Sequence, residues 1–243
     1  MKIVMISDVH ANLAALEAFP EENYDQLWCL GDLVDYGPKP HEAVQWVKNN
    51  AAVAVRGNHD HAVGFNVDPQ CSRPYKYLAS ETMRYTQEVC TNDDLSFLRK
   101  LPLQREFVAG AGTFYLVHAA PTDPLFGYRA EDSELWEREI QWINADFLVV
   151  GHTHTPFVRK VGRCTVVNPG SLGQPKTGRP LACYAVWENG EISLKEFRYP
   201  VEETSLQIRQ MPLAKSECEE LIAVLETGGL SVPTERSPVS LNV

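Results

Sequence analysis

The chain begins with the sequence MKIVMISDVH (residues 1–10), an apolar run that leads directly into Asp8 and His10. The run is too short for the apolar segment of a signal peptide, so we interpret residues 2–7 as a buried strand. A strand that ends in a carboxylate and an imidazole is typical of a sheet whose edge carries chemistry. The same order, an apolar run and then a polar motif, recurs along the chain.

Four further strand-like runs each end in a motif of this kind. They are residues 26–30 before G-D-L-V-D (31–35), 51–56 before G-N-H-D (57–60), 114–117 before His118, and 147–150 before G-H-T-H (151–154). In open α/β sheets, ligands bind at the carboxyl ends of the strands. We therefore expect the five motifs to converge on one point.

The order of strands and helices indicates an α/β fold. Strands alternate with helices at about 12–19 and 40–49 in the first 60 residues, which predicts a largely parallel sheet. Seven more strands are expected at about 105–109, 113–118, 146–150, 156–161, 164–168, 181–187 and 191–198. Ten strands are more than a single sheet in a domain of this size usually contains, so we expect two packed sheets.

Local signals place the remaining elements. Residues 63–74 have loop composition, and helices are predicted at 75–90, 92–101, 134–143 and 214–226. Asn12 and Asn92 are expected to cap helices, and Asn189-Gly190 predicts a tight hairpin. The chain is expected to divide into a domain over 1–200, with a loop and helical insertion at 63–103, and a C-terminal helix and frayed tail over 201–243.

Composition narrows the function classes. The formal net charge of −10 argues against general binding to nucleic-acid backbones. No apolar stretch approaches the ~20 residues that span a bilayer, which argues against a membrane protein. The six cysteines are scattered without a C-x-x-C pair, so we interpret them as reduced, mostly core residues of a cytoplasmic protein. The oligomeric state is not predicted.

The motifs supply a set of metal donors. Five of the seven histidines lie in them. Imidazole with carboxylate and amide oxygens suits Mn, Fe, Zn or Ni. The expected ligands are Asp8, His10, Asp32, Asn58, His118, His152 and His154. Seven donors exceed the needs of one tetrahedral ion and suit two divalent ions that share a ligand, with Asp32 as the shared carboxylate and each of its oxygens facing a different ion.

Two neighbouring cations favour hydrolysis of phosphate esters, because they can clamp the attacking and leaving oxygens and acidify a bridging water. His59 directly follows the ligand Asn58, so we expect it to donate a proton to the leaving group. Asp35 is expected to orient the His59 imidazole, although it could instead cap a turn.

The ordered set D-x-H, G-D-x-x-D, G-N-H-D, single His and G-H-T-H resembles the calcineurin-like metallophosphoesterase superfamily from Met1 to about Phe197. The resemblance implies a four-layer α-β-β-α sandwich of two mixed sheets, and hydrolysis by a metal-bridging hydroxide. It places Asp8, His10, Asp32 and His154 around one ion and Asp32, Asn58, His118 and His152 around the other. His59 would be the catalytic histidine.

The segment Asn168 to Pro175, followed by Arg179-Pro180, is similar to one in small bacterial phosphodiesterases, including some dinucleoside-polyphosphate hydrolases. The expected substrate is a small phosphodiester or nucleotide. The alternatives are a dinucleoside polyphosphate, a phosphomonoester or phosphoprotein, and a scaffold protein that has lost the chemistry. Within this loop, Asn168, Ser171, Lys176 and Arg179 could bind phosphate or simply connect two elements. Tyr75, Tyr77 and Tyr85 are interpreted as helix packing rather than as a nucleobase pocket.

Overall fold

Two five-stranded sheets form the centre of the fold. This computed structural model describes residues 1–110 and 112–229, and for Arg73 and Pro74 it describes the backbone alone. The strands are β1 (Lys2–Ile6), β2 (Gln26–Cys29), β3 (Val53–Ala54), β4 (Gln104–Ala109), β5 (Gly112–Val117), β6 (Phe147–Val149), β7 (Phe157–Val161), β8 (Cys164–Asn168), β9 (Ala182–Glu188) and β10 (Glu191–Phe197). The sheet orders are β10-β9-β1-β2-β3 and β4-β5-β6-β8-β7. All the predicted strands are present, with small shifts at their ends.

Both sheets are mixed. In the first sheet, β1, β2 and β3 run parallel, and β9 and β10 are antiparallel to their neighbours. In the second sheet, β5, β6 and β8 run parallel, and β4 and β7 are antiparallel edge strands. The parallel strands therefore deliver the loops after β1, β2, β3, β5 and β6 to the functional edge of the molecule.

The helices surround these sheets. They are α1 (Leu13–Glu17), α2 (Pro40–Asn50), α3 (Asn58–Phe65), α4 (Arg73–Val89), α5 (Asn92–Lys100), α6 (Trp136–Glu139), α7 (Val201–Ile208) and α8 (Lys215–Thr227). Helices α3 and α7 were not predicted. The prediction of a loop over residues 63–74 was wrong at both ends. Helix α3 continues to Phe65 and ends where Asn66 adopts a left-handed φ of 56°, and α4 already begins at Arg73.

Alternation along β1 explains the layers. Ile3 and Met5 point between the sheets, where they pack with Phe114, Leu116 and Trp187. Their neighbours on the opposite face of β1 belong to the core that the first sheet forms with α1, α2 and α5. On the outer face of the second sheet, residues 136–145 cover β5, β6 and β8. This arrangement confirms the predicted four-layer sandwich.

The C-terminal helices pack against α4. Leu78 and Ala79 of α4 share a buried cluster with Ile208 of α7 and with Leu221 and Ile222 of α8. The proposed division of the chain at residue 200 stays a prediction, and the predicted frayed tail beyond residue 229 lies outside the described residues. Among the described helices, none combines the length and the apolar character needed to cross a bilayer.

Three local predictions have clear outcomes. Asn12 caps α1 by accepting a hydrogen bond from the backbone N–H of Ala15, as predicted. The prediction that Asn92 caps α5 was wrong, because Thr91 and Asp94 form a reciprocal capping box instead. The hairpin between β9 and β10 is confirmed, with φ values of 53° at Asn189 and 94° at Gly190.

Candidate metal centre

The predicted ligands lie in the loops that follow the parallel strands, and the structure brings all seven together. Three sets of Asp and His ligand atoms lie within 4.8 Å of one another: Asp8, His10 and His154; His10, Asp32 and His59; and Asp32, His118 and His152. The side chains are almost completely buried, apart from a partly buried His152. Such proximity of buried donors is what a metal site requires.

One end of the site is formed by Asp8, His10 and His154, which we call the first donor group. Nε2 of His154 lies 3.3 Å from Oδ1 of Asp8 and 3.3 Å from Nε2 of His10. The other end is formed by Asn58, His118 and His152, the second donor group. Here Oδ1 of Asn58 lies 3.1 Å from Nε2 of His118 and 3.1 Å from Nδ1 of His152.

Asp32 lies between the two donor groups. Its Oδ2 is 3.8 Å from Nε2 of His10 and 3.3 Å from Nε2 of His118. Its Oδ1 accepts a hydrogen bond of 2.9 Å from the backbone N–H of His59. The expectation that the two oxygens face different ions therefore differs from the structure, in which one oxygen faces both groups and the other anchors the His59 backbone.

The hydrogen bonds of three histidines fix their tautomers. Nδ1 of His10, His118 and His154 lies 2.9, 2.7 and 2.6 Å from the carbonyl oxygens of Val34, Leu30 and Gln174. A carbonyl can only accept, so each Nδ1 carries the proton and donates it. In the neutral rings, the lone pair on Nε2 consequently points into the site, which is the orientation that metal-binding histidines need.

Two details of the first donor group fit a cation. Nε2 of His10 and Nε2 of His154 face each other, and both are acceptors in the neutral rings. Oδ1 of Asp8 is buried and has no hydrogen-bond partner among the described residues. A buried carboxylate oxygen without a partner is costly, and an ion between these three atoms would satisfy all of them.

Electrostatics distinguish the ligands in the metal-free protein. Burial lowers the pKa of His10 and His154 well below the usual value and that of His152 to about 3. Burial also opposes protonation of His118, but Asp32 and Asp8 outweigh it and raise the pKa of that imidazole to about 9. Burial raises the pKa of Asp8 to about 6. His118 is therefore the candidate ligand that would have to release a proton to bind an ion near neutral pH.

His59 stands beside the donor groups. Its Nδ1 lies 2.8 Å from Oδ2 of the buried Asp35, so the carboxylate holds the ring as predicted from the spacing. Its Nε2 lies 3.2 Å from Sγ of Cys71, which also accepts a hydrogen bond of 3.5 Å from the Tyr36 hydroxyl. Burial would lower the pKa of His59, but Cys71, Asp32 and Asp35 together raise it well above its usual value.

Cys71 was interpreted with the other cysteines as a core residue. All six cysteines are free, and five are buried, but Cys71 is only partly buried and lines the site. No sequence motif marks it, because it lies in the loop between α3 and α4, whose path depends on tertiary contacts. One of those contacts is the hydrogen bond from Nδ2 of Asn58 to the carbonyl oxygen of Pro69.

Asp60 connects two of the ligand loops. Its carboxylate accepts hydrogen bonds from the backbone N–H groups of Asp32, Leu33 and Gly57, at 2.8, 2.8 and 3.0 Å. The absence of a side chain at Gly57 also allows this loop to lie close to Asp32, because a Cβ at Gly57 would overlap Oδ1 of Asp32. Asp60 thus holds the loops after β2 and β3 together.

A cavity of about 230 Å³ opens over the site. Lys176 lies at its wall, partly buried, with Nζ 4.3 Å from the centroid of the Tyr75 ring. The other lining residues include Tyr36, Asn58, His59, Gln70, Cys71, Ser72, Phe126, Tyr128, His152 and His154. Of the four residues predicted to bind substrate, Lys176 is the one that lines this cavity.

The other three have different surroundings. Nδ2 of Asn168 donates to the carbonyl oxygen of Gly151 and to Oγ1 of Thr153. Asn168 therefore stabilises the conformation of the G-H-T-H loop (151–154). Oγ of Ser171 donates to the carbonyl oxygen of Asp8. Arg179 is exposed and pairs with Glu196. Substrate contact is therefore not supported for these three, because their polar groups are engaged elsewhere.

Comparison with known proteins agrees with this geometry. Residues 1–190 match the family model of the calcineurin-like phosphoesterase superfamily domain. The crystal structure of a metallophosphoesterase from Sphaerobacter thermophilus is 30% identical, covers 92% of this chain and 99% of its own, and superposes with a TM-score of 0.77. The phosphodiesterase YfcE of Escherichia coli is 26% identical, covering 80% of this chain and 91% of its own. A symmetrical bis(5'-nucleosyl)-tetraphosphatase of Psychromonas ingrahamii is 42% identical over 67 residues, 25% of this chain and 24% of its own.

Proposed function

Because this chain belongs to the calcineurin-like phosphoesterase superfamily and is therefore a phosphoesterase, we propose that it hydrolyses small phosphodiesters or nucleotides with two divalent transition-metal ions. The observation that carries the proposal is the position of Oδ2 of Asp32, which faces both the first and the second donor group. A shared carboxylate between two sets of neutral donors suits a pair of ions better than a single one.

The seven proposed ligands divide into two sets that share Asp32. The first donor group with Asp32 would hold one ion, and the second donor group with Asp32 would hold the other. When bound, such ions polarise phosphoryl oxygens and make water a better nucleophile at neutral pH. Nitrogen and oxygen donors accept Mn, Fe, Zn or Ni, so availability in the cell would decide between them.

His59 is the proposed general acid. Asp35 fixes Nδ1, and Nε2 points into the cavity toward Cys71, so a proton on Nε2 is directed at the space that the substrate enters. The raised pKa keeps the imidazole protonated near neutral pH. A protonated ring held in this way can transfer its proton to the departing alkoxide. Lys176, which lines the same cavity, is proposed to contact a phosphoryl oxygen.

Hydrolysis of bis(p-nitrophenyl) phosphate tests the proposal. We expect activity with added Mn²⁺ or Ni²⁺, loss on exhaustive chelation, and recovery when the metal is restored. Asp32→Ala should abolish activity and reduce the number of ions bound per chain. The mechanism would be refuted by activity that persists both after chelation and in Asp32→Ala.

The acid role of His59 has its own test. His59→Ala should slow substrates with poor leaving groups by about 10²–10⁴-fold, but nitrophenyl esters much less, because nitrophenolate departs without protonation. His41→Ala is the matched control, since His41 has a side chain that is 40% exposed and pairs with Asp94 on α5. Equal slowing of both substrate types in His59→Ala would remove the acid role.

The nucleotide alternative is a dinucleoside-polyphosphate hydrolase, supported by the local similarity to the Psychromonas ingrahamii enzyme. Incubation with a dinucleoside tetraphosphate and chromatography of the products would identify it. A scaffold function is disfavoured, because burying seven polar donors is costly without a bound ion. We also propose a cytoplasmic location, supported by six cysteines that are all unpaired, and a catalytic domain that spans residues 1–200.

A further inference from the structure

Two aromatic side chains, Phe126 and Tyr128, form part of the cavity wall beside the second donor group. The centroid of the Tyr128 ring lies 5.8 Å from that of His152, at an interplanar angle of 67°. Phe126 lines the same cavity. Tyr128 is 61% exposed, so most of its ring is not used for packing within the protein. An exposed aromatic ring beside a catalytic centre offers a flat surface for stacking.

The loop that carries these rings is firmly held. Arg129, which follows Tyr128, forms hydrogen bonds of 3.1 and 3.0 Å with the buried carboxylate of Glu139. The same carboxylate accepts two hydrogen bonds from Thr122, at 2.9 and 2.8 Å. Gly127 packs so closely that a Cβ there would overlap Ala120 and Asp123. The backbone that carries the two rings is therefore fixed before a ligand arrives, which reduces the entropy lost on binding.

The position of Tyr128 determines which part of a substrate it can reach. His59, the proposed acid, lies on the side of the first donor group, with its ring centroid 5.0 Å from that of His10. The leaving group must approach His59, whereas Tyr128 lies beside His152 at the other end. A group stacked on Tyr128 would therefore belong to the ester that stays on phosphorus.

We propose that Tyr128, with Phe126 beside it, selects phosphodiesters whose retained ester group carries a planar aromatic ring. The ring could be a nucleobase or a simple aryl group, since both present a π-face to stack. The inference rests on the proposed phosphodiesterase function and specifies its substrate class. The interpretation of Tyr75 as helix packing alone was wrong, because Tyr75 lines the same cavity. Phe126 and Tyr128 were not identified, because they belong to a different loop.

Three substrates with the same p-nitrophenolate leaving group test the inference: the methyl, phenyl and thymidine-5' esters of p-nitrophenyl phosphate, each assayed with Mn²⁺. Tyr128→Leu should reduce kcat/KM for the thymidine and phenyl esters about tenfold, mainly through KM, while the methyl ester changes less than about twofold. Tyr128→Phe keeps the ring and should restore the preference. Loss for the thymidine ester alone would identify a nucleobase site, and loss for the phenyl ester alone would identify an aryl site.

Tyr77→Leu is the matched control. Tyr77 is 60% exposed, and its hydroxyl donates to Glu217 on α8, away from the cavity. The Tyr77→Leu variant should hydrolyse all three esters at the wild-type rates. An equal loss for all three esters in Tyr128→Leu, or no loss for any, would overturn the inference while the phosphodiesterase function stands. Failure of the wild-type protein to hydrolyse even the methyl ester with Mn²⁺ would instead overturn the proposed function.

Discussion

Metal binding at the second donor group should depend steeply on pH, because His118 holds a proton that the ion must displace. In the metal-free protein, Asp32 and Asp8 outweigh burial and raise the pKa of His118 to about 9. Below that pH, the protonated fraction approaches one, and the apparent affinity for the ion falls about tenfold for each pH unit. Between pH 8.5 and 6.5, we expect a decrease of about 100-fold, or about 2.7 kcal/mol.

Isothermal titration calorimetry with Mn²⁺ at several pH values measures this dependence. Titrations in two buffers of different ionisation enthalpy count the protons released, and we expect about one proton for each ion bound at this group near pH 7.5. The sign follows from the raised pKa, since affinity must increase as the pH rises toward 9. Below pH 6, protonation of Asp8, with its pKa of about 6, should weaken the first donor group as well.

Substitutions of two proposed ligands to the same ion distinguish loss of the His118 proton from a general loss of metal affinity. His118→Gln supplies an amide oxygen with no proton to displace, so its affinity should be weaker but nearly independent of pH over this range. In His152→Gln, the pH dependence should remain, because the pKa of His152 is about 3, so this ring is neutral above pH 5 and has no proton to release when an ion binds. Affinity that is flat between pH 6.5 and 8.5 in the wild type would refute the assignment of the proton to His118.

Three further perturbations test the supporting residues. Asp60→Ala leaves three backbone N–H groups without an acceptor and should lower the free energy of unfolding by about 3 kcal/mol in urea titrations with chelator present; a change below about 1 kcal/mol would contradict this role. Asn168→Ala removes the hydrogen bond to the carbonyl oxygen of Gly151 and should weaken Mn²⁺ binding about tenfold or more without altering substrate preference. Unchanged affinity for Mn²⁺ would contradict the role of Asn168 in holding the G-H-T-H loop. Alkylation of Cys71 with iodoacetamide places a carbamidomethyl group on Sγ, beside Nε2 of His59, and should abolish activity, whereas Cys71→Ala should resist the reagent. Equal inactivation of both would assign the effect to another residue.

The strands could be predicted from the sequence because each is a short apolar run that ends in turn residues. Burial on both faces makes this pattern plain, as in β1, where every second residue enters a different core. Helix α3 was missed because it begins inside the polar motif G-N-H-D and its residues serve the site rather than an apolar stripe. Helix α7 was missed because it is only about two turns long, and packing on α4 and α8 holds it.

The sequence predicts the candidate metal donors, which the structure brings together, more completely than the cavity walls. A ligand set consists of a few residue types in fixed positions after strands, which a sequence displays directly. The walls come from Cys71, Phe126 and Tyr128, which lie in loops whose direction depends on distant contacts such as the Arg129–Glu139 pair. The role of Asn168 was also hidden, because its contact with Gly151 depends on the pairing of β8 with β6. The order of strands in a sheet is not written in any local pattern.

The backbone of the ligand loops shows why this site needs so large a scaffold. Five proposed ligands have left-handed φ values, which are 53° for Asp8, 45° for His10, 54° for Asp32, 66° for His152 and 59° for His154. Such conformations cost about 1 kcal/mol or more for each residue, so together they oppose folding by roughly 5 kcal/mol. That sum is comparable to the whole net stability of many domains, about 5–15 kcal/mol. The core between the two sheets must offset it, and it also fixes the strand ends from which these loops reverse. Bound ions would stabilise the folded state alone, and would therefore offset part of this cost. The strained conformations thus belong to the loops that carry the proposed ligands, and not to the sheets that support them.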